Sequence, residues 1–223
     1  MKIHCFGDSW AAGAELKSQE KPFVHWLADS LNLKYTNHGV SGSSLGIILK
    51  TIVKYLSRID KGDIVTVIIP PDVRWYGQSG QRGFYSISMY DDTDHSEYYA
   101  FLQNKTTSWF IYHHALFIYS IQQLLKSRDC CYILAHNYGQ LDKLNSTGFP
   151  IDFDAFLDVD NDLISLLIDN KSAWESYQLY NDGPMNLSDL SEYFYGCQAH
   201  PNEIGHKRIA ELIQQKLQNI KPL

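Results

Sequence analysis

Residues 2–10, KIHCFGDSW, run from an apolar stretch into a glycine, an acid and a single serine. The run KIHCF ends at Gly7 and has the pattern of a short buried strand. A strand giving way to a turn here would hold the Ser9 hydroxyl at the mouth of a sheet, with its backbone N–H facing the same space. A serine hydroxyl is a weak nucleophile at neutral pH and needs a base within hydrogen-bond reach. It also needs donors for the oxyanion that forms when it attacks a carbonyl. The plainer reading is that Asp8 or Ser9 caps a following turn. The tripeptide by itself does not choose between them.

Outward from this strand the chain alternates strands and helices. KPFVHWLADSLN (21–32) places Phe23, Leu27 and Leu31 at helical spacing, with Pro22 suited to the first turn. LKYTNHG (33–39) reads as a second strand. SSLGIILKTIVKYLSRI (43–59) puts Leu45, Ile48, Leu49, Ile52, Val53 and Leu56 on one stripe of an amphipathic helix. GDIVTVIIPP (62–71) is rich in β-branched residues and is stopped by Pro70 and Pro71, which cannot donate to a ladder. Residues 72–95 show no sustained period and read as a long loop or a short hairpin. A helical stretch follows from about Ser96 to Lys126, then a fourth strand, CCYILAHN (130–137). FPIDFDAFL (149–157) fits a fifth strand or an irregular connection. NDLISLLI (161–168) reads as a short helix, and PNEIGHKRIAELIQQKLQNI (201–220) as the final one. Strands separated by helices favour an α/β fold with a central parallel sheet covered on both faces. Reactive groups in such sheets gather at the carboxyl ends of the strands, near the point where strand order reverses.

The 223-residue chain is long enough for a substantial core, and a single domain over residues 1–223 is expected. Its formal net charge of -6 and pI near 5.8 leave no basic stripe for a nucleic acid. No apolar run spans a bilayer, and the N-terminus lacks the apolar core of a signal peptide. A cytoplasmic location is therefore expected. The four cysteines, Cys5, Cys130, Cys131 and Cys197, lack metal-ligand spacing and read as thiols.

Two further blocks could complete a site around Ser9. In NHGVSGSSLG (37–46), Gly42 lets the backbone approach a ligand, and the helix beginning near Ser43 presents its positive end to an oxyanion or a phosphate. A glycine turn followed by a serine cap explains the same residues. In AHPNEIGHKRIAE (199–211), His200 precedes a proline suited to the first helical position, so its ring would stand outside the helix. A surface turn residue is the alternative for His200, and His206 reads as structural.

FGDSWAAG, NHGVSGSS and HPNEIGHKRIA, in this order and spacing, resemble the SGNH hydrolase superfamily, the GDSL-like lipases and acylhydrolases. The resemblance implies a flavodoxin-like three-layer α/β/α sandwich and ester hydrolysis through an acyl-enzyme, without cofactor or metal. It implies Ser9 as nucleophile, the N–H groups of Ser9 and Gly42 as the oxyanion hole, and His200 as general base. The implied partner is a small-molecule or carbohydrate ester, with acyl transfer to a sugar, or an inactive carbohydrate-binding protein, as alternatives.

Two positions depart from the family pattern. An asparagine donor is usual after the third strand, where this chain has Pro71, which lacks an N–H. Losing one oxyanion donor costs on the order of 10²–10³ in turnover; Arg74 or Asn137 could replace it by position. An aspartate is usual three residues before the catalytic histidine, where this chain has Cys197. A neutral thiol does not stabilise an imidazolium. A backbone carbonyl, or a carboxylate such as Asp189 or Glu192, could orient His200 instead.

Other constellations are weaker. In DVDND (158–162) the position where a calcium loop needs glycine holds Leu163, so the stretch reads as a helix start, and DDTDH (91–95) lacks a complementary ligand set. His113 and His114 point about a hundred degrees apart on a helix, not toward one metal. Trp75, Tyr76, Phe84, Tyr85 and Tyr90 could line an acyl or sugar pocket, or simply cover the sheet.

Overall fold

Four short strands build the centre of the protein, each within one of the strand stretches read above: β1 (Lys2–Phe6), β2 (Lys34–Asn37, largely exposed), β3 (Ile64–Ile69) and β6 (Cys131–His136). All pair in parallel in the order β2-β1-β3-β6, so strand order reverses between β1 and β3. The computed structural model describes residues 1–71, 74–79, 83–88, 105–137, 141–168, 191–195 and 200–220, with 74–79 and 83–88 as backbone.

Because side chains alternate across a strand, each buried strand feeds two cores. Ile3 and Cys5 of β1, Ile64 and Ile68 of β3, and Ile133 and Ala135 of β6 face one side. There they meet α2 (Phe23–Ser30), the short α5 (Leu163–Leu167) and α6 (Glu203–Ile220). Phe6, Val65, Val67, Ile69 and Leu134 face the other side, against α3 (Leu45–Tyr55) and α4 (Thr107–Lys126). The result is the expected three-layer α/β/α arrangement. At the amino ends of the strands, buried Asp63 accepts from the N–H groups of Lys2 and Asp60 and lies 3.4 Å from His4 Nε2. This polar knot ties β1 to β3 at the end of the sheet away from Ser9.

Several sequence expectations resolve here. Residues 74–79 and 83–88 form the hairpin β4–β5, which lies against α3. The stretch 149–157 is not a strand: it carries a 3₁₀ turn at Phe153–Ala155 and meets the sheet through a bridge from Phe156 to Leu134 and a hydrogen bond from the Tyr132 hydroxyl to Asp152. Pro22 serves as the N-cap of α2 and not as its first residue, with Nδ1 of His206 accepting from the Phe23 N–H at 3.2 Å. His206 is structural, as expected, and stacks on Phe23. Asp162 caps α5 by accepting from the Ser165 N–H, so the acidic run at 158–162 is a helix entry. His113 turns back to the Trp109 carbonyl, whereas His114 points inward to His136, 3.3 Å away. Tyr90 lies outside the described residues, as do the side chains of Trp75, Tyr76, Phe84 and Tyr85.

The buried histidines make the fold acid-sensitive. Burial lowers His114 to about 4 and His206 to about 3, so both stay neutral in the folded chain. An unfolded histidine charges below about 6.5. Stability is therefore complete above that pH and is lost as pH falls toward 4, because the unfolded state binds the additional protons. The melting temperature should fall by roughly 5–10 °C between pH 7 and pH 5. A melting curve unchanged over that interval, followed by circular dichroism, would contradict this assignment.

Candidate active site

Immediately beyond β1 the chain turns through Gly7 and Asp8 into a one-turn helix, α1 (Ser9–Ala12). Asp8 is the cap: its Oδ1 accepts from the Trp10 N–H at 3.1 Å. Its Oδ2 accepts from Nδ2 of Asn137 at 2.9 Å, at the end of β6. The capping role is thus filled by Asp8, and the Ser9 hydroxyl is not needed for it. Ser9 stands at the first helical position, where a backbone N–H has no acceptor within the helix.

Small residues let α1 sit directly on the sheet and on the second block. A Cβ added at Gly7 would lie 2.6 Å from Ala11 Cβ and 2.8 Å from Ile68 Cβ. One added at Gly39 would lie 2.5 Å from Ala12 N and 2.7 Å from Ala11 C. The Asn37 side chain reinforces the contact, donating to Ala11 O at 2.7 Å while its Oδ1 accepts from the Gly39 N–H at 2.9 Å. The sequence reading overlooked Gly39, although its place directly after a strand was the available signal. Since backbone atoms cannot yield as a side-chain tip can, Gly39→Ala should destabilise the protein by about 1–3 kcal/mol. Chemical denaturation measures this directly, and a midpoint equal to that of the wild type would contradict the packing described.

Gly42 has a different reason to be glycine. The Val40 carbonyl accepts from the Ser43 N–H at 3.1 Å, closing a turn in which Gly42 takes φ +76. Side chains rarely tolerate that conformation. A Cβ at Gly42 would meet nothing within 4 Å, so close approach of protein is not the reason. The turn leads into α3, whose N-cap position is Ser44 without a side-chain capping bond, so its first-turn N–H groups begin a few residues beyond the carboxyl end of β2. The loop is anchored to the Ser9 turn by the Val40 N–H, which donates to Gly7 O at 3.0 Å.

His200 arrives on a small antiparallel ribbon, β7 (Phe194–Tyr195) and β8 (His200–Pro201), in which Tyr195 pairs with His200. Pro201 is therefore in a strand, not at the first position of α6 as the sequence suggested. Asn202 caps that helix, its Oδ1 accepting from the Gly205 N–H at 3.0 Å. The ribbon lies against α1, and Trp10 meets Phe194 edge-on with centroids 6.0 Å apart. The structure thus brings the elements bearing Ser9 and His200 together, although among the described residues no hydrogen bond joins their two side chains.

The neighbourhood of His200 holds a residue that the sequence did not single out. Oε2 of Glu15 lies 3.3 Å from His200 Nδ1, with the two side chains 27% and 17% exposed. Glu192 is exposed and makes no ion pair with His200, while Asp189 and Cys197 lie outside the described residues. Asn137 spends an amide N–H on Asp8, which makes it a tie between β6 and the Ser9 turn. The Arg74 side chain lies outside the described residues. No cluster of metal-ligating side chains occurs among the described residues, nor any helix long and apolar enough to cross a membrane.

No protein-family model and no curated protein matches the sequence. Solved structures do. A protein assigned to the lipolytic G-D-S-L family from Desulfitobacterium hafniense DCB-2 is 13% identical over 96% of this chain and 98% of its own, with a TM-score of 0.51. TesA is 11% identical over 99% and 100%, with a TM-score of 0.55. A carbohydrate esterase described as having divergent catalytic and non-catalytic binding functions is 12% identical over 98% of this chain and 64% of its own, with a TM-score of 0.51. The chain has the SGNH hydrolase fold, in a form far diverged in sequence.

Proposed function

We propose that the protein is a serine esterase acting on a carboxylic ester, with Ser9 as nucleophile and His200 as base. The observation that carries this reading is the packing of α1 against β8, in a fold shared with esterases, at the carboxyl end of β1 where strand order reverses. Ser9 Oγ attacks the acyl carbon while Nε2 of His200 takes its proton. The N–H groups of Ser9 and Gly42 receive the oxyanion. The tetrahedral adduct collapses as His200 returns the proton to the departing alcohol. Water, activated by the same histidine, then releases the acid and regenerates Ser9.

An acetylated carbohydrate is the substrate class proposed first, supported by the carbohydrate esterase among the structures of this fold. The test is release of acetate from acetylated xylo-oligosaccharides and of p-nitrophenol from short p-nitrophenyl esters. Turnover of both supports the reading; acetate found only on an added sugar acceptor would make the protein an acyltransferase. A second reading, binding without turnover, is favoured by Pro71, which occupies the usual donor position and has no N–H to offer. Saturable binding of the oligosaccharide with no acetate released would establish it.

A further inference from the structure

We propose that Glu15 is the carboxylate that orients His200, a positioning residue that rests on the Ser9–His200 reading above. Nδ1 of His200 is buried, has no well-aligned hydrogen-bond partner, and faces Oε2 of Glu15 at 3.3 Å. Catalytic hydrogen bonds are often long or misaligned before substrate arrives and tighten in the complex. With its Nδ1–H directed at a carboxylate, the ring presents Nε2 as the base, and the carboxylate stabilises the imidazolium that forms when the serine proton is taken.

The backbone around Glu15 supports this assignment. Glu15 adopts φ +69, a conformation uncommon for a residue with a side chain. Such a geometry persists where its surroundings enforce it. Gly13 ends α1 two residues earlier, so the loop carrying the carboxylate is a direct continuation of the helix carrying Ser9. The same loop grips the histidine ribbon a second time: Tyr195, paired with His200, donates its hydroxyl proton to Glu20. Glu20 Oε2 also accepts from the Lys17 N–H at 2.7 Å, which fixes the loop's shape. Nucleophile and orienting acid therefore lie on one short continuous segment, against which the histidine ribbon packs.

The test combines kinetics with proton NMR of the full-length protein, the His200 ring resonances being assigned by their loss in His200→Gln. The wild type should show a downfield Nδ1–H proton that Glu15→Gln removes. Glu15→Gln should lower kcat on the order of 10²-fold or more, with KM changed by less than about threefold. Glu15→Asp should recover part of that loss. Glu15→Gly suits the positive φ, and should lose as much activity as Glu15→Gln while melting within about 3 °C of the wild type. A Glu15→Gln enzyme within about threefold of wild-type kcat would overturn the proposal. So would activity losses that track melting temperature while the Nδ1–H resonance stays in place. If Ser9 is unreactive in the wild type, the esterase reading fails, and with it the catalytic role. The resonance in Glu15→Gln still decides separately whether the pair exists.

Discussion

Ser9→Ala and His200→Ala are each expected to lower ester turnover by on the order of 10⁴-fold or more, with the double variant little worse than either single one. That non-additivity is the signature of a nucleophile and base acting as one unit, because removing either leaves the other without a task. Both variants should remain folded. The Asp8 carboxylate caps α1, so truncating Ser9 leaves that cap in place. His200 lies in a two-residue strand whose backbone pairing with Tyr195 does not need its ring. Equal melting temperatures with collapsed turnover would assign the loss to chemistry. Independent, small and additive losses would argue for a merely structural serine.

Asp8→Ala should produce the largest loss of stability near the site. Asp8 is 1% exposed and accepts from the Trp10 N–H and from Asn137. Removing a helix cap costs about 0.5–2 kcal/mol, and stranding a buried donor about 1–3 kcal/mol. A combined loss of roughly 2–4 kcal/mol is expected, or about 5–15 °C in melting temperature. Asn137→Ala in the Asp8→Ala background should then cost less than in the wild type, since the two side chains share one hydrogen bond. Additive losses across that double-mutant cycle would show that the pair contributes nothing to stability. The consequence for function is positional: Asn137 braces the Ser9 turn with one amide N–H, which leaves its second N–H as the donor that could serve in place of the one missing at Pro71.

The fold was legible because its elements are locally encoded. GDIVTVIIPP is buried throughout β3, and of the expected stripe Leu45, Ile48 and Ile52 form the face that α3 buries, whereas Val53 is exposed and Leu56 lies in the 3₁₀ turn that follows the helix. The stretch 149–157 was ambiguous because its apolar residues serve a 3₁₀ turn and one sheet bridge, and periodicity does not separate those from a strand. At the site, the three sequence blocks led to Ser9, Gly42 and His200 because each sits at a strand end or a turn. Glu15 escaped notice for a physical reason. Its partner lies at the other end of the chain, and only the packing of the ribbon onto α1 brings the two together. Gly39 escaped because a glycine after a strand reads as a turn, whereas its role is to admit the backbone of α1.

The most direct measurement of the central claim is covalent labelling by a fluorophosphonate, followed by intact mass and peptide mapping. Ser9 Oγ would displace fluoride from phosphorus, leaving a stable phosphonyl-serine. Stoichiometric modification mapped to Ser9, abolished in Ser9→Ala and strongly slowed in His200→Ala, is the predicted result. An unmodified wild type, or label on any other serine, would contradict the assignment of Ser9 as the nucleophile.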